Sequence, residues 1–195
     1  MIKTTSLLIK ELNNYASPNQ KIKRMVASGQ LTPIIKGLYE TDKNTPPYLL
    51  AASIYGPSYV SFEFALAYYG LIPETVHACT CATFGKLKIK KYDTPFGLFT
   101  YRDVPADAYP YGIIAKEENG YGYLLASREK AVCDQLYKMP PIANQRELEQ
   151  LLFDNLRIDE LELKKLNQKD TIALTNKYHC SNLKHFAAWL KRNTR

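Results

Sequence analysis

The chain lacks the spacings that announce the commonest enzyme chemistries. Its 195 residues contain no Gly-rich phosphate loop, no Gly-x-Ser-x-Gly, no His-Glu-x-x-His and no Cys-x-x-Cys pair, so nothing in it reads as a phosphate cradle, an exposed nucleophilic serine or a zinc knuckle. Histidine is scarce, and the four cysteines, Cys79, Cys81, Cys133 and Cys180, do not have the spacing of a secreted disulfide scaffold. Reduced thiols without a disulfide are the expectation. No apolar run approaches the roughly 18 residues that cross a bilayer. The segment from Met1 to Glu11 has no uninterrupted apolar core of the secretory kind. A cytoplasmic protein with no membrane partner is therefore expected. His77, Cys79 and Cys81 alternate along a strand-like run and share a face. A structural zinc takes four ligands, however, and Cys133, His179, Cys180 and His185 offer no metal-like partnership in sequence. No metal, cofactor or catalytic residue is assigned.

What is present is apolar content and uneven charge. Apolar side chains make up 46% of the chain, enough for one core or for a small module plus a second domain. The net charge is +7, with seven basic against three acidic residues over 1–44, ten against twelve over 45–156 and nine against four over 157–195. Basic ends attract phosphate backbones through counterion release without specifying sequence, and they also serve as ordinary solubilising surfaces.

Four short segments carry more information together than singly. They are Lys36-Gly37-Leu38-Tyr39, Tyr59-Val60-Ser61-Phe62-Glu63-Phe64-Ala65-Leu66, Gly70-Leu71-Ile72-Pro73 and Ser127-Arg128-Glu129-Lys130-Ala131-Val132-Cys133-Asp134. Over residues 18 to 138 this order resembles the AbiEi family, the antitoxins of type IV toxin–antitoxin (abortive infection) systems. The resemblance implies an N-terminal winged helix-turn-helix followed by a larger antitoxin domain. It also implies two partners: operator DNA, through which the protein would repress its own operon, and a cognate nucleotidyltransferase toxin, neutralised without necessarily being held in a stable complex. This chain departs from the family at Phe64, where Ser-x-x-Ser-Ala-Leu has its second serine, and at Arg128, where proline is usual. About 30 residues precede the ribbon, room for two helices where a complete winged module has three.

The residues read the same way in outline. A first helix is expected from Ser6 to Asn14, with Leu7, Leu8 and Leu12 as its stripe. A second has Ser17 as N-cap, Pro18 at its first position, Ile22, Met25 and Val26 facing inward, and Gly29 as its left-handed stop. Leu31 to Ile35 and Leu38 to Glu40 form two short strands about Lys36-Gly37. In such a module the helix before the ribbon offers its first turn to base edges. Asn19, Gln20 and Lys21 are then the readers, with Lys23, Arg24 and Lys36 on phosphate. The competing reading is the solvated face of an amphipathic helix.

Beyond Thr41 to Pro47 the chain reads as a second domain. Helices are expected from Tyr48 to Tyr55 and from Ser61, as N-cap, to Gly70. Between Thr75 and Ser127 the period becomes two, which predicts an antiparallel sheet of about four to six strands. Helices follow from Ser127, from Asn144 to Asn155, from Asp159 to Leu166, from Asp170 to Lys177 and from Ser181 to Asn193. Asn144 with Glu147 resembles a capping box, and Lys130 with Asp134 is an i, i+4 pair on an exposed helix face. Lys86, Lys88 and Lys90 project from one face of a strand whose Leu87 and Ile89 face the core. That stripe is a candidate contact surface for nucleic acid or toxin, or a lysine edge that discourages aggregation.

The sequence thus predicts an α+β protein: a reduced winged module on 1–45 and a sheet-and-helix antitoxin domain on 46–195. It is expected to act by binding and not by catalysis. The rival reading is a protein–protein interaction module with the same fold that has lost DNA binding.

Overall fold

The structure, a computed structural model, describes residues 1–193. Its first unit is a strand β1 (Ile2–Thr4), helices α1 (Thr5–Glu11) and α2 (Pro18–Ala27), and a ribbon of β2 (Thr32–Ile35) and β3 (Leu38–Glu40). The three strands pair antiparallel in the order β1-β3-β2. The first strand is an addition to the expected elements, because three residues are too few to show a period. Helix α1 starts where the Thr4 hydroxyl accepts the Leu7 amide at 3.2 Å, earlier than Ser6. Of the three leucines expected as its stripe, Leu8 is buried, Leu7 is exposed and Leu12 is the half-buried C-cap. In α2, Pro18 opens the helix but the Ser17 hydroxyl makes no capping bond. Gly29, at φ +73°, lets the chain turn back so that Gly29 and Gln30 amides reach the carbonyls of Val26 and Met25. Leu8, Ile22 and Leu31 form a small core of their own. Ile34 and Leu38 instead join the main core, so the ribbon packs onto the body.

The body is built on a six-stranded sheet in the order β6-β7-β5-β4-β9-β8, from β4 (Tyr59–Val60), β5 (Cys79–Thr83), β6 (Lys90–Thr94), β7 (Gly97–Asp103), β8 (Ile113–Glu118) and β9 (Tyr121–Ala126). The expected all-antiparallel pairing is corrected: β5 runs parallel to β7, and β4 parallel to β9. A period of two identifies a strand and says nothing of its neighbour. Here β7 inserts between β5 and β6, and skipping one strand in an alternating chain makes the pair parallel.

Helices cover both faces. Tyr101 of β7 donates its hydroxyl to the Ala51 carbonyl of α3 (Pro47–Ile54) at 2.7 Å. Thr80 of β5, one position out of phase with Cys81 and Tyr101, donates to the Ser61 carbonyl ahead of α4 (Phe62–Tyr68) at 2.5 Å. Sandwiched in this way, all five residues of β5 are buried.

Helix α5 (Arg128–Lys138) begins as expected, with the Ser127 hydroxyl accepting the Lys130 amide at 3.2 Å. It buries seven consecutive residues, Lys130 to Leu136, which marks a helix enclosed on nearly all sides. Packed around it and beyond are α6 (Gln145–Glu149), a π-helical turn (Gln150–Asn155), α7 (Glu160–Lys164), α8 (Gln168–Thr175) and α9 (Ser181–Asn193). The span expected as one helix from Asn144 to Asn155 thus widens midway, and the Leu156 amide reaches back five residues to Leu151. Asn144 accepts the Glu147 amide at 3.0 Å, while Glu147 accepts the Ala143 amide at 2.7 Å, one residue before the N-cap, so only the first half of the expected capping box forms. Helix α8 starts at Asn167, not Asp170, its side chain accepting from Asp170.

The end of α5 is closed by a side chain from α9. Buried Asn182 donates to the carbonyls of Leu136, Met139 and Pro140 and accepts the Ile142 amide at 2.9 Å. Four backbone groups at this helix end gather on the one amide, the Leu136 carbonyl also accepting the Met139 amide at 3.3 Å. Asn182→Ala should therefore cost about 1–3 kcal/mol in urea denaturation, well above an ordinary surface substitution.

Candidate functional site

The N-terminal face is set by what α2 buries. With Ile22 buried and Met25 and Val26 half-buried, Asn19, Gln20, Lys23 and Arg24 stand in solvent. Lys21 is half-buried, its ammonium 5.1 Å from the centre of the Tyr15 ring. Lys36 is exposed on the ribbon turn, whose Gly37 carbonyl accepts the Thr5 amide at 2.9 Å. Five of the six residues expected on DNA therefore share one helix, while the sixth sits on a turn anchored to the start of α1. Among the described residues, Lys21, Lys23, Arg24 and Lys36 form no ion pair. Their charge is available to an external anion.

The second basic surface is corrected. Residues 84–89 form a loop, so Lys86, Lys88 and Lys90 do not make a strand stripe. The cause is Asp103, whose carboxylate accepts the Thr83 hydroxyl at 2.6 Å and the amides of Lys86 and Leu87 at 2.6 and 2.7 Å. Those two amides are thereby withdrawn from any strand ladder. Leu87 sits at φ +55° and is 95% exposed, and Ile89 is exposed as well, where both were expected in the core. Lys86 turns to the Gly56 carbonyl at 3.2 Å, Lys88 stays in solvent, and Lys90 starts β6.

His77 and the neighbouring thiols do not gather into a site. Cys79 and Cys81 are buried with their Sγ atoms 3.9 Å apart, whereas His77 is exposed and lies outside the strand. Among the described residues no group of three His, Cys, Asp or Glu side chains is placed to hold a metal.

The most concentrated polar arrangement is one that the sequence does not announce, and it lies where segments 59–66 and 127–134 cross. The Asp134 carboxylate on α5 is wholly buried. Its Oδ2 accepts the Ser61 hydroxyl at 2.6 Å and the Tyr59 hydroxyl at 2.9 Å, and its Oδ1 accepts the Tyr178 hydroxyl at 2.5 Å. Lys130 Nζ, also buried, lies 3.4 Å from Oδ1 and donates to the Ala108 carbonyl at 2.6 Å and to Tyr178 at 2.8 Å. The i, i+4 pair expected on an exposed face is thus corrected to an internal one, because α5 is covered on that side by α8 and by the loop carrying Ala108. Ser61 holds its expected position before α4, but its hydroxyl serves Asp134 and does not cap the helix. Spacing reveals the pair; nothing local reveals that Tyr59, Ser61 and Tyr178 complete it.

Burial lifts the Asp134 carboxyl above the ordinary value, against the pull of Lys130 and the three hydroxyls. Burial likewise pushes the Lys130 ammonium down, against the pull of Asp134. Burial and the adjacent carboxylate push the Tyr59 and Tyr178 phenols well up, so both stay protonated as donors. An acid with a raised folded pKa favours the fold most below its unfolded value and loses that contribution as pH rises through the folded one. The cluster therefore costs desolvation and is held by its full set of donors, a structural role with no solvent path to a substrate. Compared with known proteins, the chain matches no protein-family model, and no curated protein matches it at a significant level. No helix among the described residues is long and apolar enough to cross a membrane.

Removing one member of a buried pair strands the other. Asp134→Ala should cost about 3–5 kcal/mol, and the double variant Lys130→Met with Asp134→Leu should cost less than the sum of its singles. Urea unfolding of the four proteins of that cycle checks the claim; strict additivity would show that the two groups do not interact.

Proposed function

We propose that this chain is an antitoxin-like regulator of the AbiEi kind, whose N-terminal unit binds operator DNA and whose body counters a cognate nucleotidyltransferase toxin. The observation that carries the DNA half is the outer face of α2: two amides and three cations stand together immediately before a β-ribbon, with no ion pair among the cations. The strand order β1-β3-β2 with two helices between β1 and β2 supports reading this unit as a winged module reduced by its first helix. Asn19 and Gln20 suit adenine edges, and Lys21, Lys23 and Arg24 suit guanine or phosphate. The toxin half rests on the resemblance of the four segments. Two of them, 59–66 and 127–134, meet at Asp134. They support the reading as fold-bearing segments, since neither presents a reactive group.

The alternative, a protein–protein module with the same fold and no DNA readout, draws on one observation. The ribbon tip is held against α1, which limits how far Lys36 can extend along a groove.

Electrophoretic retardation of the DNA upstream of the chain's own gene separates the two. On the regulator reading binding weakens with salt, and Lys21→Ala with Arg24→Ala lowers the slope of log K against log salt by about 0.9 for each phosphate no longer neutralised. An unchanged slope moves the DNA to another face, and no retardation at low salt leaves the interaction module. Growth of cells expressing the toxin, with and without this chain, tests the second half.

A further inference from the structure

A broad cleft of the body lies elsewhere, between the β5–β7 side of the sheet and the ends of α4 and α5. It is a cleft of about 840 Å³, within the size range of small-molecule sites. Its walls are apolar, formed by Phe62, Leu66, Ile72, Val76, Met139 and Leu156.

Two kinds of polar group line it, and neither is fully matched within the chain. The first kind is cationic. Lys91 of β6 stands opposite Thr100 of β7, and Arg102 is two residues further along the same strand. The three side chains therefore share one face of the sheet, the face that Thr80 also occupies. Among the described residues neither Lys91 nor Arg102 forms an ion pair. Lys138 also lines the cleft and is paired with Glu63, while Glu74 is paired with Arg157 on the rim. Net positive charge is left at one end.

The second kind is an acceptor. Gln135 of α5 is 2% exposed. Its Nε2 donates to Glu63 Oε1 at 3.2 Å and lies 3.9 Å from the Met139 sulfur, an arrangement that fixes which end of the amide is oxygen. That oxygen has no donor, and neither has Oε2 of the adjoining Glu63. A buried acceptor left without a partner is uncommon and calls for an explanation.

We propose that this cleft is a binding site for a nucleoside phosphate. The phosphate lies between Arg102 and Lys91, where a guanidinium can hold two of its oxygens. The base lies along the apolar wall and gives a ring or exocyclic N–H to Gln135. Each wall answers one part of such a ligand. Inorganic phosphate would leave the apolar surface and the amide unused, and an apolar ligand would leave the cations unused. The site is separate from the α2 face and does not rest on the regulator reading.

Isothermal titration calorimetry of the full chain against ATP, GTP, CTP and UTP, with sodium phosphate and adenosine as controls, tests it. The expected result is one saturable site per chain for at least one nucleotide, about tenfold or more tighter than phosphate or adenosine. Arg102→Ala combined with Lys91→Ala should weaken that binding by about tenfold or more. Gln135→Leu, which removes the unmatched acceptor and should fold normally, should flatten the preference among bases. The Lys21→Ala, Arg24→Ala protein should bind as the parent does. Absence of saturable binding, equal affinity for phosphate, or a loss that follows Lys21 and Arg24 instead of Arg102 and Lys91 would overturn the proposal.

Discussion

A carboxylate in the middle of a protein must be fully supplied with donors or it will not stay there, and Asp134 imposes that demand on this fold. Its donors come from four places in the chain: Tyr59 in β4, Ser61 at the step into α4, Lys130 one turn back on α5, and Tyr178 after α8. To bring Ser61 into reach the backbone turns sharply, and Phe62 takes φ +55°, a conformation that costs a residue with a side chain about 1–2 kcal/mol. Lys130 then requires its own acceptor and holds the loop at Ala108. A Cβ at Gly112, itself at φ +68°, would stand 3.0 Å from the Lys130 Cβ, so that position has no room for one. One buried charge thus fixes a strand, a helix start, a loop and a late turn relative to α5.

The distribution of charge follows from the same constraint. In the body the basic groups nearest the core are engaged: Lys130 internally, Lys138 with Glu63, and Arg128 with Glu162 at 3.0 Å and over the Tyr69 ring. On α2 the cations have no acidic partner, only Lys21 lying over a ring, that of Tyr15, and the apolar face beneath them is only three residues wide. Unpaired exposed charge adds little to stability, so changes there leave the fold intact. The α2 residues that offer charge are thus not the ones that hold the fold.

Legibility in the sequence divides along the same line. The α2 face is readable because it depends on local spacing: Ile22, Met25 and Val26 point one way, so Asn19, Gln20, Lys23 and Arg24 point the other. The starts of α5 and α6 are readable because Ser127 and Asn144 bond to amides three residues on. Residues 86–90 mislead because their alternation is perfect, yet Asp103, sixteen residues from Leu87, takes two amides and turns the strand into a loop. The parallel pairings and the burial of Lys130 are hidden for a like reason, since each depends on which distant element arrives alongside. Trp189 and Asn182 on α9 give no local sign of their roles, yet both are buried.

The unmatched oxygen of Gln135 is best understood through its neighbour. Asp134 sets the rotation of α5, and Gln135, about 100° further round the helix, is buried on a different side. Its amide is committed at one end to Glu63, which Lys138 and its own backbone amide hold below the ordinary carboxyl value against the upward push of burial. A core optimised for stability alone would place an apolar side chain there, because filling the site with carbon removes the acceptor altogether. The amide thus gives the fold one bond, to Glu63, and leaves its oxygen unmatched, beside a cleft whose far end holds two unpaired cations.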